Sequence, residues 1–122
     1  MSKNAHILLV SFFFVFSVFS TDTDSLYHQT LKLNDTLQIS ELNKLSQEYL
    51  NSNPDFALKC AEKALEISDK YADKSGKIKS LINIGIILRN KGKNDESLNA
   101  HFESLKLAEL INDKQLIATN FN

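Results

Sequence analysis

The chain has 122 residues, with 14 lysines and arginines against 15 aspartates and glutamates, for a formal net charge of −1. Neither sign dominates and no basic stripe or arginine cluster appears, which disfavours nucleic acid recognised through phosphate neutralisation. The lone cysteine, Cys60, has no partner for an internal disulfide, so its expected role is packing as a small, inert thiol.

Met1 to Ser20 opens with Lys3, runs through apolar and small residues from Ile7 to Phe19, and reaches Val18-Phe19-Ser20 before the polar Thr21-Asp22-Thr23-Asp24. That pattern reads as a secretory signal peptide over 1–20. As a helix, the apolar run rises only about 20 Å, short of the roughly 30 Å hydrocarbon core, so an uncleaved membrane anchor is the alternative. The expected location is therefore periplasmic or secreted, and removal of 1–20 leaves material for one small domain.

Residues 21–35 read as a linker with one weak helix over Leu26 to Leu31, opened by Asp24-Ser25. A clear helix starts near Asp35 or Thr36, either of which can cap it, and carries Ile39, Leu42, Leu45 and Tyr49 at three- and four-residue steps. Asn53 caps the next helix and Pro54 takes its first position, where a missing amide costs least. That helix runs to about Tyr71 with a stripe of Ala57-Leu58, Ala61, Ala64-Leu65 and Ile67, whose alanines allow another helix close approach. Asp73 to Gly76 reads as the following turn.

A third clear helix carries Ile78, Leu81, Ile82, Ile84-Gly85, Ile87 and Leu88, an apolar face wide enough for packing on two sides. Gly92 suits a left-handed cap, and Asn94 is the expected cap of a helix from Asp95 to about Ile111. Leu98, His101-Phe102, Leu105, Leu107-Ala108 and Ile111 form its stripe, and Leu98, Phe102 and Leu105 are expected to stay exposed. A further helix begins at Lys114 or Gln115.

These segments repeat. In a forty-residue frame Ala57-Leu58, Ala61, Ala64-Leu65, Ile67 and Asp73-Lys74 recur as Ser97-Leu98, His101, Ser104-Leu105, Leu107 and Asp113-Lys114. Self-similarity at that period implies stacked units that bury a continuous core together.

The helix pairs resemble tetratricopeptide repeats. Leu81, Ile84, Gly85 and Leu88 match the first-helix pattern of that family, Gly92 its turn glycine, and Ser97, His101 and Ser104 its second-helix positions. Leu42, Leu45, Ser46 and Tyr49, then Ala57, Ala61 and Ala64, match in an earlier unit. The period exceeds the basic length of about thirty-four, and the usual tryptophan and repeat-ending proline are missing, so other helical-hairpin repeats are the alternative fold. The resemblance implies an all-α superhelical solenoid of tandem antiparallel hairpins. Its units are 36–75 and 76–113, with a third starting at 114–122, where Phe121 stands in the place of Leu81.

It also implies that the first helix of each pair lines a concave groove for a protein or peptide partner. By position the lining is Asn43, Lys44 and Gln47, then Lys79, Asn83, Ile86 and Asn90. Asn83 stands where relatives often clamp a peptide backbone, whose N–H and C=O an amide can bond together. No catalytic constellation, metal site or cofactor motif is expected. His28 lies in the linker, His101 on an apolar stripe, and the glutamates are spread among lysines on solvated faces. The expected function is a non-catalytic interaction scaffold. The alternative is the sensory front of a longer signalling protein, a histidine kinase or transcriptional regulator. In either case membrane contact comes only through the signal peptide or a C-terminal continuation, and an uncapped last unit predicts self-association.

Overall fold

Asparagine or aspartate side chains begin most of the helices, each accepting a bond from an amide that the helix leaves without a partner. In the computed structural model, which describes residues 22–112, 114, 118 and 119, Asp22 accepts from the Asp24 amide at 3.2 Å and opens α1, Thr23–Thr30. Asn34 accepts from Leu37 at 3.1 Å and opens α2, Asp35–Glu48. Asn34 thus displaces Asp35 and Thr36 from the expected capping role. Asn53 accepts from Phe56 at 3.2 Å ahead of α3, Pro54–Lys70, with the proline in the first turn as expected. The segment 1–20, expected to be a signal peptide, lies outside the described residues, as does most of 114–122.

Asp73 caps α4, Lys74–Asn90, by accepting from the Gly76 amide at 2.9 Å. The segment from Asp73 to Gly76, expected as a turn, is therefore a cap and first helical turn. The reversal is made instead by Ala72, whose φ is 53°. Gly92, at φ 78°, reverses the chain before α5, Asn94–Leu110, as its sequence suggests. Both ends close the same way: the Asp73 amide donates to the Ser68 carbonyl and the Lys93 amide to the Leu88 carbonyl, each at 2.9 Å. A left-handed residue makes this closure possible. Asn94 is the first residue of α5 rather than its cap, and Lys93 at the cap position makes no side-chain capping bond.

The described residues form an all-helical array without strands. Each helix packs on the next, α2 also packs on α4, and α3 and α5 flank α4 without substantial contact with each other. Three clusters form the interior. Ile39, Leu42 and Leu45 of α2 meet Phe56, Cys60, Ala64 and Ile67 of α3. Ala61 of α3 meets Ile84 and Leu88 of α4 and Ala100 of α5. Ile78 and Ile82 of α4 meet Ala108 of α5. Full burial of a leucine such as Leu42 contributes about 1.5–3 kcal/mol, and Leu42 is 0% exposed.

The weak helix expected in the linker is part of this core. Leu26, Tyr27 and Leu31 pack against the first cluster, and Lys59 of α3 lies 4.2 Å from the Tyr27 ring centre and 3.6 Å from Asp24. The alanines and small residues act as expected. A Cβ on Gly85 would fall 2.6 Å from Nε2 of His101, so the half-buried imidazole lies directly on the α4 backbone. Leu98 and Phe102 stand 54% and 60% exposed, while Leu105 is half-buried rather than exposed.

Candidate functional site

The contact between α2 and α4 creates a groove of about 630 Å³, the larger of two concavities described below. Its walls are built by helical periodicity: Ser40, Lys44 and Gln47 rise from α2, and Ser75, Lys79 and Asn83 from α4. Five of the seven residues expected to line a groove, Asn43, Lys44, Gln47, Lys79 and Asn83, come together here. Ile86 is instead half-buried against Ile78, Ile82 and Ala108, and exposed Asn90 lies beyond the groove.

The two asparagines differ from the lysines. Asn43 and Asn83 are 5% and 3% exposed, and a directed run of hydrogen bonds ties them to both helices. Gln47 Nε2 donates to Asn83 Oδ1 at 3.4 Å, and Asn83 Nδ2 donates to the carbonyl and Oδ1 of Asn43, each at 3.2 Å. Asn43 Nδ2 in turn donates to the Gly76 carbonyl at 3.4 Å. Buried amides need such partners, because an unpaired polar group there costs about 1–3 kcal/mol. Asn83 is thus the floor of the groove and a link between helices, with its donor already committed.

The groove is cationic at its edges. Lys44 has a side chain 62% exposed and lies 3.8 Å from Glu41 one turn away, while exposed Lys79 has no ion-pair partner among the described residues. The one acid in the lining, Asp73, is engaged as the cap of α4. Thr36, Ser40, Ser75 and Thr119 also line the groove without having been expected. Ser40 and Ser75 stand one turn before Lys44 and Lys79, so a four-residue step from each lysine would have found them.

Away from the groove, several ionisable groups serve packing or tie helices together. Lys77 of α4 bridges Asp69 of α3 at 2.8 Å and Glu103 of α5 at 3.4 Å, and the bond to Asp69 leads in raising its pKa. Lys91 pairs with Asp55, whose carboxyl is held below its ordinary value chiefly by that hydrogen bond. Burial pushes the Cys60 thiol up to about 11. Ser97 Oγ donates to the Gly85 carbonyl at 2.7 Å, so that hydroxyl is spent holding α5 to α4. Among the described residues, no group of three histidine, cysteine or acidic side chains gathers as metal ligands, and no helix is long and apolar enough to cross a membrane. No family model matches this chain, and comparison with curated proteins and with solved structures gives no match.

Proposed function

We propose that this protein is a non-catalytic interaction scaffold, exported and built of tetratricopeptide-like hairpins, which holds a segment of a partner protein between α2 and α4. The observation that carries the reading is the groove: exposed Lys44, Gln47 and Lys79 stand above a floor whose amides are satisfied internally. A floor already held by internal hydrogen bonds limits the ordering cost of binding, and exposed lysines at the walls provide charge-assisted contacts. Contact of α2 with α4, while α3 and α5 flank α4 apart, is the packing expected when first helices line the inner side of a superhelix. The non-catalytic reading rests on the ionisable lining, two lysines and a capping aspartate, which offers no nucleophile paired with a base. Export rests on the apolar run from Ile7 to Phe19.

The test places a photo-crosslinking side chain at Gln47 in the full chain and maps the captured peptide by mass spectrometry. Lys44→Ala with Lys79→Ala should weaken that partner by about tenfold or more, because charge-assisted bonds are worth about 1.5–3 kcal/mol. Both lysines are exposed, so the melt should stay unchanged. Capture that persists in the double variant would reject the groove as the binding site.

A further inference from the structure

A second concavity lies across α4 from the groove. Its α4 floor residues, Leu81, Ile84 and Leu88, point away from Ser75, Lys79 and Asn83 by the helical period. Because α3 and α5 flank α4 without substantial contact, a cleft of about 420 Å³ remains between them. Leu58 and Leu65, both half-buried, form its apolar wall on α3, with Glu62 between them. The α5 wall presents Glu96 and Glu103. The lining residues recur at three- and four-residue steps on all three helices, over a length of about 10 Å, or two helical turns.

The charges decide the occupant. Three glutamates line the cleft against one lysine, Lys93, which lies 3.7 Å from Glu96. Glu103 is shared with Lys77 at 3.4 Å, and Glu62 has no ion-pair partner among the described residues. An apolar floor between acidic walls complements a helix with an apolar stripe flanked by lysine or arginine, and it repels an anionic lipid surface or nucleic acid.

We propose that the α3–α5 cleft is a docking site for a basic amphipathic helix of a partner protein, separate from the groove on the other face of α4. Two turns of that helix set leucine-like side chains onto Leu58 and Leu65, and its basic residues meet Glu62, Glu96 and Glu103. The site does not depend on the first groove having a ligand.

The probe is an amidated, fluorescein-labelled peptide of leucine and lysine with leucines at i, i+4 and i+7, titrated into the full chain by anisotropy, with amide shifts recorded by NMR. Expected are shifts at Leu58 to Leu65 and Lys93 to Glu103, and weaker binding as salt rises. Glu62→Lys should lose about tenfold or more in affinity, while Glu48→Lys, an equal charge change at an exposed position outside the cleft, should stay within about twofold. Equal losses in the two variants, or unchanged affinity when the peptide leucines become alanine, would mean bulk charge attraction and overturn the site. Shifts confined to Ser40–Gln47 and Ser75–Asn83, or no binding, would overturn it as well.

Discussion

Replacing Gly76 by alanine tests the packing of α4 against both of its predecessors. In an isolated helix this change gains about 1 kcal/mol of propensity. Here the added Cβ would lie 2.6 Å from Ile39 Cγ2, 2.6 Å from Asp73 Oδ2 and 2.8 Å from Ser68 Oγ. Ile39 is 3% and Ser68 1% exposed, so relief requires a χ1 change within the packed core or a movement of α2 or α3. Overpacking of this kind costs about 1–3 kcal/mol. Loss of the Asp73 cap would add about 1 kcal/mol, and the Asn43 and Ser80 bonds to the Gly76 carbonyl, at 3.4 and 2.9 Å, would also be strained. The expected net destabilisation is about 1–3 kcal/mol, read as a fall in Tm of about 4–8 °C per kcal/mol. Far-UV circular dichroism during heating and urea titration measures it. Adding Ser68→Ala, which removes one of the three obstructions, should restore only part of the loss. A Gly76→Ala protein as stable as the parent, or more stable, would refute the close approach.

Other outcomes follow from single features. Ala72→Gly should stabilise by about 1 kcal/mol, because Ala72 holds φ 53° at the end of α3; urea midpoints at unchanged slope would show it. Asn83→Ala should destabilise by about 1–3 kcal/mol, since it strands Oδ1 of the buried Asn43, and an unchanged melt would place Asn83 outside the fold's hydrogen bonding. Cys60, with its pKa raised from 9.0 to about 11 by burial, should resist a thiol reagent at mildly alkaline pH until urea unfolds the chain. The folded state prefers the protonated thiol, so this stabilisation is complete below pH 9.0 and is lost as pH rises through about 11. A urea midpoint that falls less steeply for Cys60→Ala than for the parent over that window would isolate the effect, since Lys77, raised from 10.5, titrates in both proteins.

The helices were largely readable in the chain because their signals are local. Pro54 after Asn53, the glycine at 92 and the three- and four-residue apolar steps act within one or two turns, and α3, α4 and α5 follow them. Boundaries moved where two residues competed for one role. Asn34 caps α2 ahead of Asp35 and Thr36, and Asp73 begins α4 although the following Ser75-Gly76 looks like a turn. Gly76 is a glycine for the space between Ile39 and Ser68, not for a bend, and nothing adjacent in the chain reveals that.

The groove was expected only through the resemblance to tetratricopeptide repeats, and Lys44, Gln47 and Lys79 fall along it. The fate of Asn43 and Asn83 was not legible, since a polar residue beside such a stripe fits solvent as well as an interior partner. The sequence by itself determined the helices among the described residues and the apolar stripe of each, because these depend on backbone geometry and spacing within a few residues. Tertiary structure alone decided that α1 joins the core, that Asn83 bonds to a residue forty positions earlier, and that α3 and α5 part over α4 to leave a cleft. Those outcomes depend on how helices distant in sequence approach one another, and the local pattern of any one helix does not contain that distance.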